Sequence, residues 1–357
     1  MQNKLIPNVP FLEYNGNNAA FFAKTLEAAL RVTDGANGWD AARIAAVSGE
    51  GNRLVWLDGK WGGGNEVIEA LNETPFEVEK RVFDAMGWTV KCVAIEHGND
   101  GIFLNTDPAQ VQQEIVASID KGVPVIVYRQ PDQVYNLFFG YEDNGKKMIA
   151  WDIMSGDMGG KQNKEPAALE DWRRGLTACI ILREKTAPKP EKEAALEMFA
   201  RIVSHARQAG EVKGWSGKDG FQKVGFAAWE SFLNLLENDD FSTLALNDVR
   251  RRFGIYCDTL CQIWARNGAL PYYRSLSERY PEWRESLEKA IAALDECAAY
   301  GGFIWKHGFG FDDAGLEKFK SPEGRKLLAD AGREAMKKDM EAVEQFEKIL
   351  KMPARDE

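Results

Sequence analysis

Histidine is scarce in this chain of 357 residues. Only His97, His205 and His307 occur, each in a different segment. Zinc-type sites gather several His or Cys ligands, so a multi-histidine metal centre is not expected, nor is any metal or cofactor. HExxH and paired CxxC are absent, and no GxGxxG follows a strand pattern. The run Gly59-Lys60-Trp61-Gly62-Gly63-Gly64-Asn65 has glycines but lacks the Lys-Ser/Thr of a phosphate-binding P-loop. Cysteine is also sparse. Cys92, Cys179, Cys257, Cys261 and Cys297 make an odd count, which argues against a disulfide framework. None opens a helix pattern, where a thiol pKa is lowered, so all five read as small buried hydrophobes. No stretch of about 18 apolar residues occurs, so no membrane helix is expected. The opening MQNKLIPNVP has neither the apolar core nor the cleavage site of a secretory signal. A cytoplasmic location is the expectation.

What is present is an ordinary globular balance, 45% hydrophobic and 28% charged, with a net charge of −10. An acidic chain repels nucleic-acid phosphates and anionic lipid, so neither is expected as a partner. The first half mixes helical and strand-like patterns. Helices are expected over 19–32, 40–47, 75–86 and 107–119. Asn17 or Asn18 caps the first, Thr74 with Pro75 opens the third, and Asp107-Pro108-Ala109-Gln110 opens the fourth. Strands are expected over 53–57, 89–95, 123–128 and 177–183. The stretches 135–142 and 146–153 flank Asn144-Gly145, a strong hairpin signal. Helices first and a run of strands after favour α+β with a mostly antiparallel sheet.

Thr186-Ala187-Pro188-Lys189-Pro190 then reads as a polar linker. Beyond it the pattern is helical, over 191–209, 221–236, 246–267, 282–307 and 322–352. The expected organisation is an α/β domain over 1–185, a linker over 186–190 and an all-α helical domain over 191–357. Eleven tryptophans are spread over both halves, and most are expected to pack in cores. Trp56 and Trp61, which flank the Gly-rich loop, are the two most suited to line a site.

Four stretches resemble papain-like proteins whose N-terminal module is related to butirosin biosynthesis protein H and to bacteriocin-processing peptidases. Asn15 to Leu30 is similar to the segment that opens the central helix. Ser48-Gly49-Glu50-Gly51-Asn52-Arg53-Leu54-Val55-Trp56 is similar to an SGxxFRLxW-like stretch. Ala117 to Tyr128 resembles the helix and strand before the hairpin. Phe139-Gly140-Tyr141 with Ala150-Trp151-Asp152 resembles the end of the peptidase-like sheet. The helical half resembles the region C-terminal to this module in bacterial relatives. The resemblance implies a papain-like α+β domain. It also implies a cysteine at the helix start, a histidine on the sheet to take its proton, and a residue that orients the histidine. Here the helix start reads Gly16-Asn17-Asn18-Ala19, and the histidine position falls within Val134-Tyr135-Asn136. Only Asp152 matches, as the orienting residue.

The leading expectation is therefore a catalytically degenerate papain-like protein. It would bind a small polar or peptide-like ligand, or a partner protein, on a floor of Asn17, Asn18, Tyr135, Asn136 and Asp152, rimmed by Trp56, Trp61 and Asn65. One alternative is an acyltransferase or amide hydrolase with a non-cysteine residue set and Asp152 as general base. The other is a helical interaction protein in which the second domain carries the function.

Overall fold

The computed structural model describes residues 2–13, 20–57, 59–62, 74–96, 106–129, 134–151, 164–210, 212–213 and 221–353. Along the chain lie β1 (Lys4–Leu5), α1 (Phe21–Thr33), α2 (Ala41–Ser48), β2 (Val55–Leu57), α3 (Glu77–Met86), β3 (Trp88–Ala94) and α4 (Pro108–Asp120). Then come β4 (Val125–Arg129), β5 (Tyr135–Glu142), β6 (Lys147–Trp151), β7 (Pro166–Leu169) and β8 (Leu176–Lys185). The remainder holds α5 (Glu191–Arg207), β9 (Val212–Lys213), β10 (Phe221–Val224), α6 (Gly225–Asn238), α7 (Leu246–Trp264) and α8 (Arg266–Arg279). It closes with α9 (Arg284–Ala299), α10 (Phe303–Lys306), α11 (Asp313–Lys320) and α12 (Pro322–Leu350). The result is an α+β unit followed by a helical unit. No helix among the described residues is long and apolar enough to cross a membrane.

The two compact units are not two consecutive stretches. The first takes residues up to 13 and the described parts of 20–44 and 79–190. The second takes the described parts of 45–78 and 191–353. The chain thus leaves the first unit along α2, re-enters it along α3, and leaves again after Pro190.

The first unit is built on an antiparallel sheet in the order β3-β8-β4-β5-β6-β7, with β1 added beside β5. Seven of the eight residues of β5 are buried. Gly140 lies where β1 comes close, and a Cβ there would meet the Lys4 carbonyl at 2.7 Å. The β5–β6 connection is the expected Asn-Gly turn. Asn144 (φ 56°) and Gly145 (φ +87°) are both left-handed, the backbone geometry that these residue types tolerate best. α1 buries Phe22, Ala23, Leu26, Ala29 and Leu30, a stripe at helical spacing. α4 starts where its sequence says: the Asp107 carboxylate accepts from Ala109 N at 2.9 Å and Pro108 fills the first position. α3 starts at Glu77, two residues later than Pro75, because Phe76 is itself left-handed at φ 60°.

The second unit packs its helices around Trp56, Trp229, Phe232, Phe253, Tyr256 and Phe319, all at most 1% exposed. It also carries a three-stranded antiparallel sheet in the order β2-β10-β9. Residues 221–224, expected to begin a helix, form its middle strand. Lys223 lies opposite Trp56 and Gln222 opposite both Leu57 and Val212. The helix begins only at Gly225, whose φ of +56° turns the chain. A Cβ there would strike the His205 carbonyl at 2.3 Å, and its N–H bonds the Leu54 carbonyl at 2.9 Å. The helix expected over 246–267 stops at Trp264, and α8 follows it directly through Pro271. α11, also unanticipated, is capped by Asp312, whose carboxylate accepts from Gly315 N.

Candidate functional site

In the first unit α1 lies on β4 and β5. Its first turns bring Phe22 against the Tyr135 ring, with centroids 5.2 Å apart, and Thr25 Oγ1 donates to the Tyr135 carbonyl at 3.3 Å. The beginning of α1 therefore meets the beginning of β5, where Tyr135 and Asn136 stand. Both are buried, at 2% and 1% exposure. Adjacent side chains on a strand point to opposite faces, so the two cannot share every partner. The Tyr135 hydroxyl donates to Glu79 Oε1 at 2.7 Å, and its ring also packs on Tyr128. Glu79, on α3, is fully buried. Nothing in the sequence marks it as part of this junction, because an acidic residue on an amphipathic helix reads as solvent-facing.

The Asn136 amide is engaged at both ends. Nδ2 donates to the Trp151 carbonyl at 2.8 Å, and Oδ1 accepts from Leu137 N at 2.8 Å. Trp151 ends β6 and packs edge-on against Phe11 at 5.3 Å and tilted on Phe139 at 5.0 Å. Its indole Nε1 is buried and has no hydrogen-bond partner among the described residues. Asn17, Asn18, Asn65 and Asp152 lie outside the described residues, so only Tyr135 and Asn136 of the expected floor can be placed.

Of the expected rim, Trp56 and Trp61 can be placed. Trp56 belongs to the second unit and is 0% exposed. Its ring packs against Trp61 at 5.8 Å and Phe232 at 5.8 Å. Pairing β2 with β10 draws Trp56 into that core. Trp61 is part-buried in the same cluster, against Phe241 and Phe319, and its Nε1 donates to Asp239 Oδ2 at 2.8 Å. The Arg252 guanidinium also bonds that carboxylate. Trp61 fixes the described part of the Gly-rich loop, residues 59–62, to its own unit.

The stretch 48–56 has the same character. Ser48 Oγ accepts from Glu50 N at 3.1 Å, and Asn52 accepts from the Tyr273 hydroxyl. Arg53 pairs with Glu50 at 3.6 Å with both side chains buried, and its carbonyl accepts from Arg266 Nη1 at 3.3 Å. Val55 is bonded by Gln262. Gly51 is in place because a Cβ there would lie 2.7 Å from Ala269 Cβ. These residues, singled out in the sequence as a motif, are the means by which 45–57 joins the helical unit.

Two described thiols belong to the first unit, one half-buried (Cys92) and one buried (Cys179). Cys92 is on β3 and Cys179 on β8. Burial pushes Cys92 up to about 12 and Cys179 further. Cys257 and Cys297 in the second unit are raised by the same cause. No described residue of the first unit is a histidine. His205 and His307 lie in the second unit, the latter stacked on Phe303 at 3.8 Å. Among the described residues no group of three or more His, Cys, Asp and Glu could hold a metal. The phenol and the amide of the junction hydrogen-bond within the fold, the phenol to a buried carboxylate, and the indole N–H of Trp151 is the donor left for another acceptor. The sequence matches no protein-family model and no curated protein.

Proposed function

We propose that the first unit is a papain-like binding module without the papain-like reaction, and that it takes a small polar or peptide-like ligand where α1 meets β5 and β6. The observation that carries this reading is the identity of the residues at that junction. Tyr135 and Asn136 stand there, both buried and hydrogen-bonded, and neither can act as the proton-accepting imidazole of a thiol mechanism. The described thiols of this unit support the reading from the other side. They sit on β3 and β8 with raised pKa values, which suppress the nucleophilic thiolate at neutral pH. Trp151 Nε1 supplies a buried donor suited to a carbonyl or carboxylate oxygen. It directly precedes Asp152, which we assign to the same site.

The test uses N-acetylated dipeptide amides as probes, with binding followed by thermal shift and calorimetry and turnover by mass spectrometry. Saturable binding without product is the expected outcome, with affinity reduced in Asp152→Ala and the fold unchanged by circular dichroism. Product formation that Asp152→Ala abolishes would replace this reading with an enzyme in which Asp152 acts as general base.

A further inference from the structure

We draw no further inference here: the strongest candidate, the small pocket of the second unit lined by Ser48, Asn52, Arg53, Arg201 and His205, has a volume of about 20 Å³, room for about one water molecule, and its Arg53 is held by Glu50 and its Arg201 by the Val47 carbonyl, so nothing on it points to a ligand.

Discussion

Gln262 holds Val55 by both ends of its side-chain amide. Its Oε1 accepts from Val55 N at 2.8 Å and its Nε2 donates to Val55 O at 3.2 Å. The amide thus does for β2 what another strand would do: it satisfies the backbone groups that β10 leaves unpaired. Gln262→Leu keeps the volume and strands both groups in a buried site. Each orphaned group costs about 1–3 kcal/mol. Urea unfolding should show a loss of about 2–6 kcal/mol, and Gln262→Glu should lose stability too, because a carboxylate cannot donate to Val55 O. An unchanged midpoint for Gln262→Leu would mean that β2 is held by β10 alone.

A second buried device ties α8 to α12. Arg266 meets Asp339 through two bonds, Nε to Oδ1 at 3.0 Å and Nη2 to Oδ2 at 2.6 Å, and Trp229 Nε1 donates to the same carboxylate at 2.9 Å. Asp339→Ala leaves a buried guanidinium without its counter-charge and an indole without its acceptor, a loss of about 3–5 kcal/mol. An apolar pair, Arg266→Met with Asp339→Leu, should recover most of that loss, since the two charges no longer need each other. A double variant as unstable as the single one would show that the Arg266 bonds to the Arg53 and Gln262 carbonyls matter more than the ion pair.

Local signals carried the sequence reading a long way. The stripe on α1, the Asp107 cap and the Asn144-Gly145 turn each lie within a few residues, and physics at that range decides them. What the sequence concealed was pairing at long range. Phe221-Gln222-Lys223-Val224 has the apolar spacing of a helix start, and pairing with β9 and with β2, the latter more than 160 residues earlier, makes it a strand. The same pairing carries Trp56 into a core. A tryptophan beside glycines reads identically whether it packs inside or lines a cleft, so the packing of Trp56 was not legible locally. Asp339 illustrates the same limit. It lies on a helix dense in Lys and Glu, and only the fold tells it from its solvated neighbours.

The assignment of 45–78 to the second unit makes a fragment prediction. A fragment of 191–357 lacks β2, so β10 loses its pairing partner, Gln262 loses Val55, and Arg266 loses the Arg53 carbonyl. We expect it to be molten, with dye-accessible apolar surface and no cooperative thermal transition. A synthetic peptide of 45–62 added in trans should restore cooperativity. The 186–190 segment should resist proteolysis more than its exposed side chains suggest. Thr186 N bonds Gly87 O at 2.7 Å and Lys189 N bonds Ala85 O at 3.1 Å. A stable, cooperatively folding 191–357 fragment would show that the 45–57 segment is dispensable to that unit.

The thiols set a pH dependence. Burial raises Cys92 to about 12 and raises Cys179, Cys257 and Cys297. An unfolded thiol ionises near 8.5. Above that pH the unfolded chain gives up protons that the folded chain keeps, so stability falls as pH rises. Unfolding free energy should be insensitive to these groups below about pH 8 and decline through pH 9–10. At pH 7 these four should react slowly with a thiol reagent until denaturant is added. Cys92 is half-buried, and its rapid labelling in the native protein would reopen a thiol mechanism.

The binding proposal turns on Trp151. Its Nε1 is buried with no acceptor among the described residues, and an unpaired buried donor costs about 1–3 kcal/mol. Trp151→Phe removes that donor and keeps an aromatic ring against Phe11 and Phe139. Two effects of opposite sense are expected. The free protein should lose little stability, because the smaller ring's packing loss is offset by the relief of the stranded N–H. Ligand affinity should fall about tenfold, the worth of one hydrogen bond of about 1.4 kcal/mol. Asn136→Ala is the control. Its amide bonds the Trp151 carbonyl and Leu137 N, so losing it should cost stability first and binding only through the displaced β6 end. If Trp151→Phe destabilises the free protein by several kcal/mol while a dipeptide probe binds as before, Nε1 serves the fold and not a ligand. The same outcome with Asp152→Ala also silent would remove the site from this end of the sheet altogether.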